Sequence, residues 1–225
     1  MPSPQVSQIL EDVLDERMPL LPLGGKAFDQ LLAKGWRVLG YCLLRHNYTV
    51  WDGELVRTIP LRIPLERFAA SKRQRKILRR HADLRVVSGP IELTPEKADL
   101  YERHATRFRT GGFTSMQTFL TDQSAMLPVP GIEFRVYEGA RLLACSYVHV
   151  GKEAVSATYC FFDPEETRRS LGLFTMLLEM EWARRMGKRY YYHGYCHSTP
   201  SQFDYKLNFE PLEQYDWAAD QWLAL

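Results

Sequence analysis

The chain has 225 residues with a formal net charge of +2 at pH 7, and 45% of its residues are hydrophobic. With 12% aromatic residues, this composition excludes an intrinsically disordered protein and provides a sizeable core for one large domain or two small ones. The four cysteines show no Cys-x-x-Cys spacing, which argues against a disulfide framework and a zinc knuckle. No apolar run reaches membrane-spanning length and the polar, acidic start does not resemble a secretory signal, so we expect a cytoplasmic protein without a membrane partner.

The first 34 residues are predicted to form a short arm and one or two helices. An amphipathic segment is indicated by apolar residues at helical spacing: Val6, Ile9, Leu10, Val13 and Leu14. A further helix is expected from Lys26 to Lys34. Residues 35–65 have a strand-like pattern instead, and Asp52-Gly53 between two β-rich runs predicts a hairpin.

The strongest charge feature is the segment from Ser71 to His81, which contains six Lys and Arg residues and no acid. A helix there would turn Ile77 and Leu78 inward. The exposed face would carry the cations Lys72, Arg73, Arg75, Lys76, Arg79 and Arg80. Such a run is often only a solvated helix face. Clustered cations also gain free energy by displacing counterions from a phosphate backbone, and the lack of an acid in the run favours this nucleic-acid contact.

A domain boundary is predicted at Ser88-Gly89-Pro90. It would divide an N-terminal region of residues 1–88, with the hairpin and the basic helix, from a second domain of residues 89–225. The sequence shows neither an internal repeat nor a low-complexity tract in either part.

The second domain is predicted to begin with two helices. Thr94 is the expected N-cap of the first, Pro95 stands at its first helical position, and the helix should end near Arg107. Gly111-Gly112 breaks the pattern, and a second helix is predicted from Ser115 to Asp122.

An antiparallel meander, a long helix and a further strand are predicted next. The β-rich runs are residues 132–137, 141–150 and 155–162. The helix has Ser170 as its expected N-cap, Gly187 near its C-terminal cap, and the apolar face Leu173, Met176, Leu177, Met180 and Ala183. A strand over residues 189–193 follows, and Gly194 is expected to let the chain turn.

The start of the long helix is a candidate anion site. Its free N–H groups and the helix dipole favour negative charge, and Arg168 and Arg169 lie just ahead of Ser170. Gly172 would let a ligand approach the backbone closely. The same residues can also merely cap the helix against solvent.

This order of elements resembles the GNAT N-acyltransferase architecture, which implies an α+β fold with a mixed, mostly antiparallel sheet flanked by helices. In that superfamily a (Q/R)-x-x-G-x-(G/A) turn after the fourth strand binds the pyrophosphate of acyl-CoA. Arg169 to Gly172 match its first four positions, whereas Phe174 replaces the small residue expected at its end.

A closer resemblance, over roughly residues 35–217, is to the arginyl-tRNA–protein transferase family, including its bacterial leucyltransferase branch. The matching segments, in order, are G-W-R from Gly35, P-L-R-I-P-L from Pro60, F-A-A-S-K-R-Q-R-K from Phe68, L-Y-E-R-H-A-T-R ending at Arg107, S-A-T-Y-C-F-F-D-P from Ser156, R-R-S-L-G from Arg168, Y-Y-Y-H-G-Y from Tyr190 and Y-K-L-N-F-E-P-L-E from Tyr205. Each segment is short, but their shared order and spacing are specific.

The resemblance implies an aminoacyltransferase that moves an amino acid from charged tRNA to an amine on a peptide or protein N-terminus, as in the N-degron pathway. The aminoacyl-tRNA is then the co-substrate, and no separate cofactor is expected. The basic helix would hold tRNA phosphates, the turn from Arg168 to Gly172 would lie near the acceptor end, and Lys206 would orient the 3′-terminal phosphate.

The sequence also departs from the family. The cysteine cluster that normally precedes P-L-R-I is missing, so no metal site is expected. Gln202-Phe203 replaces a Lys-Met pair, Phe108 replaces a histidine, and His193 replaces an aliphatic residue or methionine. These changes indicate a diverged member whose donor or acceptor differs.

The predicted chemistry lies between the splayed strands 155–162 and 189–194, where an exposed edge could align the acceptor and hold the oxyanion. The candidate proton carriers are Tyr192, His193, Tyr195, His197 and Tyr205, with His193 favoured as a general base because of the usual pKa of histidine. In this scheme Tyr159 either lines the aminoacyl pocket or packs, and Arg107 pairs with an acid or with tRNA.

Two alternatives remain open on the sequence alone. One is a GNAT enzyme that acylates a small amine from acyl-CoA, and the other is a tRNA- or peptide-binding module without catalysis. The sequence leaves the transferred amino acid, the acceptor and the oligomeric state undetermined.

Overall fold

The computed structural model describes residues 12–108 and 115–225. The helices in these ranges are α1 (Gly25–Ala33), α2 (Lys72–Arg80), α3 (Pro95–Ala105) and α4 (Leu171–Arg185). The strands are β1 (Asp15–Pro19), β2 (Arg37–Leu39), β3 (Cys42–His46), β4 (Tyr48–Trp51), β5 (Glu54–Pro64), β6 (Arg85–Pro90), β7 (Gly131–Glu138), β8 (Arg141–Val150), β9 (Ala154–Phe162), β10 (Tyr190–His197), β11 (Glu213–Asp216) and β12 (Gln221–Ala224). Two 3-10 turns span Met116–Thr118 and Asp204–Leu207.

A large sheet organises the fold. Its strand order is β12-β11-β5-β10-β9-β8-β7-β6, with β4 paired to β5, and a smaller sheet has the order β1-β3-β2. All pairings are antiparallel except that of β9 with β10. The predicted α+β class with a mixed, mostly antiparallel sheet flanked by helices is therefore confirmed.

The two faces of the large sheet are covered by different helices. Adjacent residues of β8, Leu142 and Leu143, belong to different buried clusters, because successive side chains of a strand point to opposite faces. Leu143 packs in the cluster that contains the buried residues of α4, and Leu142 packs in the cluster that contains Tyr101 of α3. A third cluster joins Phe28 and Leu32 of α1 to the sheet.

Most of the predicted elements are present. The meander, the long helix and the helix after Thr94 appear close to their expected bounds, and the Thr94 hydroxyl accepts from Lys97 N. Asp52 and Gly53 have φ values of 51° and 82°, the left-handed pair that a tight hairpin turn requires. The basic helix begins with a capping box between Ser71 and Gln74.

Two local predictions are wrong. Only a 3-10 turn at Met116–Thr118 forms in the segment Ser115–Asp122. The strand predicted to end at His193 continues to His197, so Gly194 lies inside it at a β-bulge. Ser170 is the N-cap residue of α4, as predicted, although its side chain makes no capping hydrogen bond. Ser88–Pro90, where a domain boundary is predicted, forms the end of β6, since an edge strand tolerates glycine and proline.

Some predictions concern residues or divisions that the structure does not test. Val6, Ile9, Leu10 and Gly111-Gly112 lie outside the described residues. The division into residues 1–88 and 89–225 stays a prediction, and the large sheet draws strands from both parts.

A buried ion pair ties α3 to the sheet. Lys97 Nζ lies 2.7 Å and 2.6 Å from the two carboxylate oxygens of Glu133 in β7, and it also donates to Glu92 O at 2.6 Å. The exposed fractions of the two side chains are 2% and 0%. Arg135 Nε lies 3.1 Å from the same carboxylate, but its side chain is partly exposed. Removing Lys97 therefore leaves the buried Glu133 with this one partner, which is more destabilising than breaking a surface pair.

We therefore expect Lys97→Met to lower the free energy of unfolding by about 3 kcal/mol or more. Urea unfolding followed by circular dichroism would measure this change. Lys26→Met, which removes an exposed cation of α1, is the matched control and should change the free energy of unfolding by less than about 0.5 kcal/mol. Adding Glu133→Leu to Lys97→Met should restore much of the loss. An unchanged urea midpoint in the single variant would contradict the prediction.

Candidate active site

A gap opens in the large sheet where β9 and β10 part. The two strands pair in parallel at only three positions, where Tyr190, Tyr191 and Tyr192 face Ala154, Val155 and Ser156. Beyond them, β9 stays paired with β8 and β10 stays paired with β5. A bulge between Tyr192 and Gly194 accompanies the parting, and Gly194 has a φ of 91°. The splay predicted between these strands is therefore present.

The start of α4 lies at the far end of β9. Ser170 has a left-handed φ of 54°, and its carbonyl accepts from Leu173 N and Phe174 N, both at 3.0 Å. A Cβ placed on Gly172 would lie 3.2 Å from Cε1 of Phe162, so the Phe162 ring packs closely against the first turn. This end of the helix is thus partly covered by an aromatic side chain.

Arg169 is held by carboxylates. Its guanidinium lies 3.2 Å from Asp83, 2.5 Å from Glu138 and 3.3 Å from Glu166. Three acids around one arginine compensate its charge, so in this structure Arg169 fastens the turn before α4 to its neighbours. Arg168 is exposed, and its carbonyl accepts from Arg80 Nη1 at 2.8 Å.

The basic helix α2 runs between the two sides of the gap. Near its start, Gln74 Nε2 donates to Asn208 O at 3.3 Å, just after the turn that follows β10. Near its end, Arg80 meets Arg168 before α4, and the His81 ring stacks on Phe174 with a centroid distance of 4.3 Å. Phe174, the departure from the acyl-CoA motif, therefore helps to dock α2.

The cations of α2 all face solvent. Among the described residues, none of them lies within ion-pair distance of a carboxylate: Lys72, Arg73, Arg75, Lys76, Arg79 and Arg80. The buried residues of the helix are Gln74 and Ile77. The predicted orientation of the helix is thus present, with Leu78 only partly buried.

Three tyrosines of β10 make defined hydrogen bonds. Tyr191 donates to the carboxylate of Glu179, Tyr195 donates to Gly35 O at 2.5 Å, and the hydroxyl of Tyr192 accepts from Arg62 Nη1 at 3.2 Å. Tyr192 and Tyr195, both predicted proton carriers, are buried with their hydroxyls engaged in this way. Burial raises the pKa of Tyr192 to about 12, which disfavours ionisation.

Tyr205 differs from the tyrosines of β10 because 45% of its surface is exposed. Burial raises the pKa of its hydroxyl, with smaller contributions from Cys160 in β9 and Glu179 in α4. Of the predicted proton carriers, Tyr205 best combines access for a substrate with a buried hydroxyl.

Glu179 is a functional candidate that the sequence interpretation missed. It is 2% exposed on the apolar face of α4, and burial raises its pKa to about 7. The helical spacing that marks Met176 and Met180 also places Glu179 on the inner face, so an acid at that position was the available signal. Nearby, Cys160 Sγ and Thr175 Oγ1 are 3.2 Å apart.

His193 is buried and neutral. Burial, with the charge of Lys206 as a smaller cause, lowers its pKa to about 3, which disfavours the predicted role of His193 as a general base at neutral pH. Its Nε2 lies 3.3 Å from Lys206 O, and its ring is parallel to that of Tyr191. Burial also lowers the pKa of His197, whose ring lies 5.0 Å from Trp51 and 5.1 Å from Phe203.

Lys206 is 9% exposed and donates to Tyr195 O at 2.8 Å. Burial, with the charge of Arg37 as a smaller cause, lowers its pKa to about 7. Lys206 therefore occupies the edge of β10 that β9 has left, rather than an open surface.

The remaining predicted residues flank the gap. Tyr159 stacks on Phe119 with a centroid distance of 3.6 Å, so the packing interpretation of this residue fits its surroundings. Arg107 is exposed and lies 4.4 Å from the centroid of Phe162, without an acidic partner among the described residues. Within residues 12–108 and 115–225, no group of three or more His, Cys, Asp or Glu is arranged to hold a metal, and no helix is long and apolar enough to cross a membrane.

Comparisons with known proteins agree with this architecture. The model of the family described as "Arginine-tRNA-protein transferase, C terminus" matches residues 96–216. A protein named aspartate/glutamate leucyltransferase from Pseudomonas paraeruginosa is 30% identical over 213 residues, which cover 92% of this chain and 86% of that protein. One of the same name from Saccharophagus degradans is 29% identical over 212 residues, with the same shares.

A solved structure shares part of the fold. The C-terminal domain of a putative lysylphosphatidylglycerol synthetase from Agrobacterium fabrum has a TM-score of 0.50 and 15% identity, and the match covers 63% of this chain and 49% of that one. The sheet, the family match and the relatives together show that the chain belongs to the arginine-tRNA-protein transferase family and is an aminoacyltransferase that moves an amino acid from charged tRNA to an amine acceptor.

Proposed function

We propose that the chain transfers leucine from leucyl-tRNA to the α-amine of a polypeptide that begins with aspartate or glutamate, as part of an N-degron pathway in the cytoplasm. The names of the relatives support the choice of leucine and of acidic acceptors. The observation that carries the proposal is the gap between β9 and β10, with the uncompensated cations of α2 running between its two sides.

The tRNA is held mainly by α2. Its exposed cations have no carboxylate partner within residues 12–108 and 115–225, so a phosphate backbone is the partner that releases their counterions. Arg107 and Arg168 are exposed on the β9 side and extend this surface toward the start of α4. Arg169, Ser170 and Gly172 support the surface from below, because Arg169 is compensated and Gly172 is packed against Phe162.

The ester reacts at the gap. The aminoacyl ester is already activated, so the protein has to align the amine, stabilise the oxyanion and move protons. Backbone N–H groups on the facing edges of β9 and β10 are released from pairing beyond Ser156 and Tyr192, and they suit the oxyanion. No nucleoside triphosphate enters this step.

Tyr205 and Glu179 form the proton path in this proposal. Tyr205 is the tyrosine that a substrate can reach, and Glu179 has a pKa of about 7, which suits a proton acceptor at neutral pH. The incoming ammonium would lose its proton toward this pair, and the amine would then attack the ester carbonyl. As the bond between the carbonyl carbon and the ribose oxygen breaks, the released ribose oxygen would take up a proton. Because its pKa is about 3, His193 is a much weaker base than the reaction needs.

The direct test of the function is a mass measurement. Purified protein, leucyl-tRNA and a synthetic peptide that begins with aspartate should give a peptide heavier by one leucine residue. The same peptide with an acetylated N-terminus is the control, because it lacks the free amine. Binding of leucyl-tRNA with no modified peptide would favour the non-catalytic module, whereas transfer of an acyl group from acetyl-CoA would favour the GNAT alternative.

We expect Lys72→Gln, Arg73→Gln and Lys76→Gln together to weaken tRNA binding and to reduce the slope of log K against log salt by about three, since each exposed phosphate contact contributes about one. Fluorescence anisotropy of labelled tRNA across a salt series would measure both quantities. The matched control replaces three exposed cations elsewhere, namely Lys26, Lys152 and Arg184, with glutamine. Equal losses in the two triple variants would argue against a specific surface on α2.

Tyr205→Phe should slow single-turnover transfer by about tenfold to a hundredfold while tRNA affinity stays unchanged, because it removes only the hydroxyl of the proton path. Rapid-quench measurement of peptide leucylation at saturating tRNA would show the change. Tyr41→Phe removes the hydroxyl of a tyrosine that is 67% exposed and is the matched control. An unchanged rate for Tyr205→Phe would remove this residue from the mechanism.

Glu179→Gln should abolish the rise of the transfer rate as the pH passes through about 7.

Glu179→Gln should also change the pH dependence of stability. Folding raises the pKa of Glu179, so the folded state binds more protons than the unfolded state between the ordinary glutamate pKa and about 7, and wild-type stability falls as pH rises through this range. Relative to wild type, the variant should therefore gain about 2 kcal/mol between pH 5 and pH 8 in urea unfolding. A constant difference would contradict the assignment.

A further inference from the structure

Two cations meet at Gly194, where β9 has left β10. A Cβ placed on Gly194 would lie 3.2 Å from Lys206 Nζ and 3.7 Å from Arg37 Nη1. Arg37 comes from β2 of the small sheet, and Lys206 comes from the 3-10 turn after β10. One oxygen atom near that point would therefore contact both cations. The positive φ of Gly194 keeps the position free of a side chain.

Neither cation is neutralised by the protein. Lys206 Nζ donates to Tyr195 O, Arg37 Nε is buried without a hydrogen-bond partner, and the Arg37 guanidinium lies 5.4 Å from the Tyr195 ring centroid. Among the described residues, neither cation lies within ion-pair distance of a carboxylate.

The titratable neighbours do not supply the missing charge. His46 and His197 are close, and burial lowers the pKa of both, which keeps them neutral. Asp15 pairs with Arg17 at 3.3 Å, and Asp204 accepts from Ser201 N at 3.1 Å. Cys196 is buried, and burial raises its pKa, so it stays a thiol. Among the described residues, the site therefore presents the Arg37 guanidinium and the Lys206 amine, which is about half protonated at pH 7, and no carboxylate paired with either.

We propose that Arg37 and Lys206 bind the side-chain carboxylate of the first residue of the acceptor. Two buried like charges destabilise a folded protein unless an anion offsets them, and here the substrate supplies that anion. The carboxylate of an aspartate and its α-amine are only a few bonds apart, so anchoring one at Gly194 brings the other to the gap. This assignment rests on the proposed transfer to acidic N-termini and names the residues that select them.

The surroundings favour a carboxylate over a tRNA phosphate. The space beside Arg37 is a cavity of about 10 Å³, roughly one water molecule, lined in part by Gly35, Ser156, Gly194 and Tyr195. One carboxylate oxygen on a short stem fits there in place of a water molecule, whereas a phosphate brings two ribose groups with it. The exposed cations of α2 already offer the tRNA backbone an open surface.

The test is the binding of short peptides, measured by isothermal titration without tRNA. Wild-type protein should bind a peptide that begins with aspartate about tenfold to a hundredfold more tightly than the same peptide that begins with asparagine, since a charge-assisted hydrogen bond is at stake. Arg37→Met and Lys206→Met should each abolish this preference. Lys26→Met removes an exposed cation and should retain it.

A structural readout checks that the variants are folded. Arg37→Met should leave the thermal midpoint of the ligand-free protein unchanged or raise it, whereas Lys206→Met also removes the hydrogen bond to Tyr195 O and should lower the midpoint. A high acetate concentration should raise the wild-type midpoint more than that of Lys206→Met. Gly194→Ala, which places a methyl group at the meeting point, should also abolish the preference for aspartate.

The outcomes separate the inference from the proposed function. Equal binding of aspartate and asparagine peptides by the wild type would overturn the inference, even if leucine transfer is observed. So would a loss of tRNA affinity in Arg37→Met and Lys206→Met with the peptide preference intact, because the cations would then serve phosphate. Selective peptide binding without transfer would instead support the carboxylate site and contradict the proposed leucine transfer.

Discussion

The incomplete pairing of β9 with β10 is the constraint on which the rest of the structure depends. Three parallel pairs hold the strands together, and then each keeps only its antiparallel neighbour. The backbone groups on the two facing edges lose their ladder partners, and buried polar groups without partners are costly. Lys206 meets part of this need by donating to Tyr195 O, which explains why a lysine is buried beside the gap.

The charges of the protein fall into two classes, and the difference separates supporting residues from binding residues. Lys97 is paired with one carboxylate and Arg169 with three, and both fasten elements to one another. Among the described residues, the cations of α2 lack such partners at the surface, and Arg37 and Lys206 lack them in the interior. Exposed uncompensated cations suit a long, flexible polyanion in high dielectric, and buried ones suit a single small anion that enters without water.

The sequence predicted the parts of the fold that local chemistry determines. The Asp52-Gly53 turn, the N-cap at Thr94 and the alternating meander depend on residues close together in the chain, and each appears in the structure. Strand β6 escaped prediction because its pairing with β7 lies 40 or more residues away and Gly89-Pro90 resembles a turn. The helix expected at Ser115–Asp122 is reduced to a short turn, because tertiary packing overrides a weak helical preference.

The candidate site was predictable to a lesser degree for the same reason. The basic helix follows from composition and periodicity and the splayed strands follow from the resemblance to the GNAT architecture, but a pKa depends on burial, which the sequence does not state. His193 was favoured from the ordinary pKa of histidine, and burial lowers that pKa to about 3. Glu179 was overlooked as one acid among apolar residues, and burial raises its pKa to about 7. Arg37 is 169 positions from Lys206, so only the folded chain brings them together.

Two of the departures from the family pattern, His193 and Phe203, lie beside Lys206, which gives these two a common physical meaning. Phe203 stands where the family has methionine, its ring lies 4.9 Å from Lys206 Nζ, and it packs against Trp51 and His197. His193 lies beside Lys206 O, and because its pKa is low it stays neutral and adds no charge. Aromatic and neutral groups lower the local dielectric without offsetting the cations, which strengthens the attraction of an entering anion. The changes therefore alter the walls of the site and leave its two charges uncompensated.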